Sequence, residues 1–206
     1  MNAGRKAHWE RVYATKSPEE VSWYQPVPAL SLQLIEAAGI LQDDPVLDVG
    51  GGASTLVDHL LDRGYRDVSV LDIAASALAA ARDRLGPRAS GVRWIEADVT
   101  LFQPKRRYAL WHDRAVFHFL VDAADRDRYL RVLQRGLQAG GHLVLAAFGP
   151  EGPMRCSGLD VRRYSAAELG TLLGPCYRLR AEAVEEHRTP GGGTQKFTYG
   201  WWQAAA

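Results

Sequence analysis

The chain is poor in cysteine: 206 residues contain two, Cys156 and Cys176. That is too few for a disulfide framework or a four-ligand thiolate zinc site. It also lacks an excess of either charge. With 25 basic and 24 acidic side chains the net charge is +1, which argues against a nucleic-acid partner, since those domains carry a basic stripe or surplus. No apolar run approaches the roughly 18 residues needed to cross a bilayer. Residues 1–8 lack the apolar core of a secretory signal. There is no internal repeat and no low-complexity run beyond Gly191-Gly192-Gly193. A soluble, cytoplasmic protein without metal or membrane partner is expected, one domain over 1–206, with a core large enough to need no covalent staple.

What is present is an alternation. Short aliphatic or aromatic runs at 45–49, 67–71, 92–95, 108–112 and 142–147 have the length and composition of strands covered on both faces. Between them, 53–63, 74–85 and 122–138 read as helices. In the last, Tyr129, Leu130, Leu133 and Leu137 recur at helical spacing. Gly140-Gly141 follows as an expected left-handed stop. Strand–helix–strand repetition implies right-handed crossovers and a parallel sheet. Two further helices are expected at 5–14 and 28–40, joined by a Pro-interrupted linker over 15–27. The other end differs: 177–187 and 194–203 are strand-like and flank Thr189-Pro190-Gly191-Gly192-Gly193, which predicts an antiparallel hairpin. The expected fold is therefore α/β, Rossmann-like and doubly wound, a mostly parallel seven-stranded sheet closed by that hairpin.

Val46-Leu47-Asp48-Val49-Gly50-Gly51-Gly52 runs from a strand into a glycine turn. Removing Cβ atoms there lets a ligand lie against the backbone, although three glycines also suit a plain turn. The second strand ends in Asp72, about 20 positions beyond Gly50, where an acid can accept from ribose hydroxyls. Dinucleotides and S-adenosylmethionine both use this geometry. The dinucleotide motif needs a third glycine for close helix–strand packing, and Thr55 stands there.

Here the sequence resembles the class I S-adenosylmethionine-dependent methyltransferases. Asp48-Val49-Gly50-Gly51-Gly52 is similar to their first motif, with Ser54 at the last small position. The resemblance implies that Asp72 holds the ribose with Ile73 beside the adenine. It implies that Asp98 and Val99, in Ile95-Glu96-Ala97-Asp98-Val99, meet the adenine through a carboxylate and a backbone amide. Residues 129–148 resemble the family's helix, glycine stop and fifth strand, and the closing hairpin belongs to that fold. The cofactor would be S-adenosylmethionine and the product S-adenosylhomocysteine.

After the fourth strand, His112, Asp113 and Arg114 stand in succession, followed by Phe117 and His118. Polar groups at a strand's C-terminal end sit where ligands bind in open α/β sheets. His112 or His118 could take a proton from an acceptor near neutral pH, and His112 lies close enough in sequence to reach the cofactor. Arg114 could hold an anionic acceptor or Asp113, and Phe117 could wall the acceptor. The plainer reading makes Asp113 a helix cap and Arg114 a surface ion-pair partner. An Asp-Arg or Asp-Lys pair in this place resembles the thiopurine, thiocyanate and tellurite methyltransferases and the elongation-factor and citrate-synthase lysine methyltransferases. Both groups carry an N-terminal segment with tryptophan, acid and a second aromatic. Carried over, Trp9 and Tyr13 would cover the cofactor, and Trp23 and Tyr24 would shape the acceptor pocket; aromatics that merely fix a helix to the core are the alternative. Cys156, in a Gly/Pro-rich loop after strand five, is a candidate for the pocket wall or a small buried residue.

Methyl transfer to a small-molecule sulfur or nitrogen nucleophile is the leading expectation. Protein lysine methylation, a NAD-dependent oxidoreductase and a non-catalytic cofactor-binding module are the alternatives. Residues 1–44 are expected to form a helical lid over an α/β core at 45–206.

Overall fold

A computed structural model describes residues 3–206, with side chains from residue 4 onward. Seven strands form the central sheet in the order β3-β2-β1-β4-β5-β9-β8. They are β1 (Val46–Val49), β2 (Val68–Asp72), β3 (Val92–Glu96), β4 (Tyr108–Arg114), β5 (Leu137–Phe148), β8 (Tyr177–Arg188) and β9 (Thr194–Ala204). Pairing is parallel from β3 through β5 and antiparallel from β5 to β9 to β8. A separate small hairpin, β6 (Arg155–Cys156) with β7 (Leu159–Asp160), lies after β5. The expected mixed sheet with its antiparallel ending is what the chain forms.

Six α-helices complete the described fold: α1 (Ala3–Thr15), α2 (Ala29–Ala38), α3 (Leu56–Asp62), α4 (Ala75–Leu85), α5 (Ala123–Gly136) and α6 (Ala166–Leu173). The two-residue period of the strands divides their side chains between two cores. Val46, Leu110 and Val144 meet Leu32, Ile35, Leu56 and Leu60 on one face. Leu47, Trp111 and Leu143 meet Tyr129, Leu133 and Leu169 on the other. The same period dictates where the polar residues go. Asp48 and His112, partners in the β1–β4 register, point with Val46 toward α2. Asp113 points with Trp111 toward α5.

Four expectations change. The fifth helix stops at Gly136 and the chain enters β5 at once, so residues 137–138 are strand and Gly140 takes its φ of 71° inside β5. The third helix starts at Leu56 because 53–55 belong to the glycine turn. The first 44 residues divide in function: α2 buries Leu32, Leu34 and Ile35 in the core, which leaves α1 and the linker as the cover. β3, on the sheet edge, is only partly covered: Val92 is buried, Trp94 and Ile95 pack against opposite cores, and Arg93 and Glu96 are exposed.

β1 lies between β2 and β4, and the chain leaves β1 and β4 for opposite faces. The strand ends therefore part at this point, opening a crevice at the C-terminal edge of the sheet.

Candidate active site

The crevice begins with the backbone. Gly50 has a φ of 67° and Gly52 one of 33°, values that side chains resist. A Cβ at Gly50 would overlap Val116 Cγ2, and one at Gly52 would come within 2.5 Å of Asp72 Oδ2. A Cβ at Gly51 would strike the Asp48 carboxylate. The glycines thus let two buried acids and the turn after β4 close on one point.

That turn is built by Asp113. Its Oδ1 accepts from the amides of Val116 (3.0 Å) and Phe117 (3.3 Å), and its Oδ2 accepts from the Tyr129 hydroxyl at 2.7 Å. Tyr129 in turn accepts from the Trp111 indole N–H at 3.0 Å. Burial lifts the Asp113 carboxyl to about 6 against these bonds, which favour its charged form. The network forces Ala115 into the left-handed region at φ 71°, a strained conformation for alanine of the kind found beside functional clefts. Tyr129→Phe leaves one oxygen of Asp113 and the Trp111 N–H unpaired; a stability loss of about 1–3 kcal/mol is expected in denaturant unfolding.

The cleft has two lobes. The larger encloses about 740 Å³, part of it open to solvent, and is lined by Gly50, Asp72, Ile73, Asp98, Val99 and the turn residues Ala115, Val116, Phe119 and Leu120, with Trp9, Tyr13, Trp23, Arg114 and Cys156 across from them. The smaller takes Asp48, Gly51, Tyr24, Ser54, Thr55 and His112. Tyr13, Trp23, Val49, Gly50 and Arg114 line both, so the lobes adjoin along one wall.

Asp72 is 7% exposed and receives the Ala74 amide on Oδ1 at 2.8 Å. Burial raises its carboxyl to about 7. Asp98 receives the amide and hydroxyl of Thr100 and faces Arg5 Nη1 at 3.3 Å. Asp48, 2% exposed, accepts from His112 Nδ1–H on Oδ1 at 2.7 Å; its Oδ2 is buried without a partner.

α1 covers the larger lobe, and polar contacts hold it there. Arg5 pairs with Asp98 and, at 2.5 Å, with Asp125; Lys6 pairs with Glu96. Glu10 accepts from the Ala75 amide (2.8 Å), the Ser76 amide (3.2 Å) and the Ser76 hydroxyl (2.5 Å). α4 has no side-chain cap of its own, so Glu10 satisfies its free amides from across the cleft. Trp9 meets Trp23 and Phe119 edge-on, at 5.7 and 5.0 Å between ring centroids.

Several expected residues occupy other roles. His118 is fully buried; its Nδ1 accepts the Phe148 amide at 3.2 Å, and burial lowers it to about 3. It does not line the cleft and is unsuited to accepting a proton at neutral pH. His112 spends its second nitrogen, Nε2, on the Ser31 hydroxyl at 2.9 Å, so it joins β1 to α2 and faces the smaller lobe only. Asp113 shapes the turn without lining the cleft. Phe117 packs on Tyr129 and Tyr164 in the core, because the left-handed Ala115 turns Val116 and Phe119 toward the cleft in its place. Arg114 lines the cleft with three of its five N–H donors engaged: Nε to Tyr199 Oη (2.7 Å), Nη1 to the Trp23 carbonyl (2.9 Å) and Nη2 to Glu185 (3.2 Å). Its ion-pair partner is Glu185, neither Asp113 nor a surface acid.

The methyltransferase domain family matches residues 46–141. The eEF1A lysine and N-terminal methyltransferase of Mus musculus is 25% identical over 68% of this chain and 21% of its own length. The ubiquinone/menaquinone biosynthesis C-methyltransferase UbiE of Cellvibrio japonicus is 28% identical over 74% of this chain and 64% of its own. The chain thus spans about a fifth of one relative and under two thirds of the other. In fold it is similar to an S-adenosylmethionine-dependent methyltransferase from Anabaena variabilis, with a TM-score of 0.76, 16% identity, and coverage of 97% and 95% of the two chains. Residues 46–141 thus match a methyltransferase domain, and the whole chain shares the fold of that structural neighbour. The dinucleotide alternative loses its support: Thr55 follows the glycines, and its hydroxyl binds the Gln25 carbonyl at 2.8 Å. Among the described residues, no helix is long and apolar enough to cross a membrane.

Proposed function

We propose that this methyltransferase moves a methyl group from S-adenosylmethionine to a sulfur or nitrogen nucleophile on a small-molecule acceptor. The residues fit that cofactor. The buried Asp72 carboxyl, held near 7 by desolvation, gains most from two hydroxyl donors, as a ribose offers. Asp48 Oδ2, buried and unpartnered, suits an ammonium group. Ile73 and Val99 offer apolar walls for a purine, and Asp98 an acceptor for its amino group. When bound, S-adenosylmethionine supplies an activated sulfonium methyl for in-line displacement.

The chain's own contribution is then alignment and exclusion of water. Trp9, Tyr13 and Trp23 make the opposing wall aromatic, with Phe119 edge-on to Trp9 from the turn. Burial pushes up both the Tyr13 hydroxyl and the Cys156 thiol, so neither is ionised at neutral pH. With both histidines held elsewhere, proton removal by an imidazole gives way to a simpler reading. The acceptor arrives with its own lone pair, as a thiolate, thioether or ring nitrogen does.

The observation that carries the proposal is the aromatic wall of Trp9, Tyr13 and Trp23 in the same lobe as the buried Asp72 carboxyl. A mass-resolved product screen tests it, with thiols, heteroaromatic nitrogen compounds, carboxylates and lysine peptides as acceptors. Methylation of a small sulfur or nitrogen compound is expected. Turnover confined to lysine peptides would favour the activity named for the eEF1A relative. Cofactor binding without turnover would indicate a binding module.

A further inference from the structure

The linker between α1 and α2 is held through its own backbone. Within residues 22–26, four carbonyls are each gripped by a side chain from elsewhere in the fold. His187 Nε2 of β8 donates to the Ser22 carbonyl at 2.8 Å. Arg114 Nη1 of β4 donates to Trp23 at 2.9 Å. The Thr55 hydroxyl donates to Gln25 at 2.8 Å, and His59 Nε2 of α3 to Pro26 at 3.0 Å. Gln25 adds a side-chain bond to Glu185 Oε1 at 2.8 Å. The grips from β4 and β8 meet in one buried cluster. There the Arg114 guanidinium lies over the Phe197 ring at 4.4 Å, Glu185 Oε2 accepts from Arg114 at 3.2 Å and from Tyr199 at 3.3 Å, and both charged side chains are largely buried.

Polar groups so placed have an evident structural cost, since desolvating an ion pair is repaid only by full hydrogen bonding. An apolar set would hold a strap to the sheet at least as well. What the ionic cluster adds is direction. A guanidinium fixed by Tyr199, Glu185 and Phe197 presents Nη1 to one carbonyl only, that of the residue whose indole walls the acceptor lobe. We infer that Arg114, oriented by Glu185 and Tyr199, is a positioning residue that sets Trp23 against the acceptor, so that this cluster determines acceptor fit without touching the cofactor. The inference rests on reading the larger lobe as the site of methyl transfer, but its test does not.

Two local reporters are built in. Cys156 is buried with Sγ 4.0 Å from Ser22 Oγ of the strap, whereas Cys176 is exposed and serves as an internal reference. Trp23 carries the second signal when the protein is labelled with 5-fluorotryptophan, its 19F resonance assigned through Trp23→Phe. In Arg114→Lys the Trp23 resonance should shift or broaden, with those of the core residues Trp111 and Trp202 unmoved. Cys156 labelling by an aromatic disulfide, relative to Cys176, should accelerate about tenfold or more, as expected for loss of one charge-assisted bond. Glu185→Gln should show the same signs more weakly, and S-adenosylhomocysteine affinity should change less than about threefold in either variant. An unmoved Trp23 resonance with unchanged Cys156 labelling in both folded variants would overturn the inference. So would a parallel fall in S-adenosylhomocysteine affinity, which would place Arg114 with the cofactor. If Arg114→Lys fails to fold, Glu185→Gln alone decides. Failure of the small-acceptor reading in the product screen leaves these readouts intact, so the two are separable. With any acceptor that is turned over, Arg114→Lys should raise KM more than it lowers kcat, and Glu185→Gln should do the same to a smaller degree.

Discussion

Asp72→Asn is expected to weaken S-adenosylhomocysteine binding about 100-fold, the combined effect of two hydrogen bonds to a charged acceptor at about 1.5–3 kcal/mol each, less what a neutral amide retains. The same change should make the protein more stable. Burial holds the Asp72 carboxyl near 7 in the folded chain, whereas an unfolded aspartate ionises near its ordinary value of 3.8. Between those values the folded state binds more protons than the unfolded one, so this residue's contribution to stability falls as pH rises from about 4 to about 7 and is level above. Asparagine can still accept the Ala74 amide and carries no such penalty. At pH 8 a gain on the order of 2 kcal/mol is expected, which is roughly 4–8 °C in Tm for a domain of this size. Binding has its own pH signature. Ribose hydroxyls favour the ionised carboxylate, so affinity in the unmodified protein should rise with pH up to about 7 and then plateau. Calorimetry across pH 5.5–8.5, an interval of roughly 1.5 units to either side of that value, should show this rise, and Asp72→Asn should abolish it. Reduced affinity combined with reduced Tm would mean that Asp72 serves the fold and not the ligand.

The second large effect is steric. At Gly50 the backbone sits at φ 67° and an added Cβ would overlap Val116 Cγ2. Gly50→Ala therefore incurs about 1–2 kcal/mol for the left-handed backbone and about 1–3 kcal/mol more for overpacking. A Tm lower by roughly 4–20 °C is expected, together with loss of detectable S-adenosylhomocysteine binding as the turn after β4 is pushed from the cleft. Val116→Ala in the same chain should recover the overpacking part and leave the backbone part. A double-mutant cycle reads that coupling directly. Independent, additive losses would show that Gly50 and Val116 do not meet as described.

The parts of the site that were legible in the sequence are those set by short-range geometry. A strand, its glycine turn and an acid at the next strand end are close in sequence and must adjoin in a parallel sheet, so Asp48, Gly50, Asp72 and Asp98 could be placed together before any coordinates. The antiparallel ending was legible for the same reason, through the turn at 189–193. What escaped was set at long range or by strained backbone. Nothing local to β4 indicates that Glu185 and Tyr199, 71 and 85 positions away, take the donors of Arg114. Phe117 gave way to Val116 and Phe119 because of the left-handed Ala115, a conformation that alanine does not advertise. His112 looked chemical because Ser31 and Asp48, which occupy its two nitrogens, come from elements that only the sheet register brings beside it. One miss had a signal. Ser165-Ala166-Ala167-Glu168 is a capping box, and its reciprocal bonds begin α6.

Trp9, Tyr13 and Trp23 line the larger lobe. Among the described residues, α1 brings Trp9 and Tyr13 to the cleft, and ion pairs and the Glu10 cap tie it to the core. The exposed Lys6–Glu96 pair is weak and screened by salt, whereas the pairs of Arg5 with Asp98 and Asp125 are largely buried and less screened.

A crystal structure of the chain with S-adenosylhomocysteine tests the central claim most directly. The account predicts both ribose hydroxyls on the Asp72 carboxylate, the adenine between Ile73 and Val99 with its amino group toward Asp98, and the amino-acid end in the smaller lobe beside Asp48. A nucleoside bound away from Asp72, or an amino-acid end lying in the aromatic lobe under Trp9 and Trp23, would contradict it.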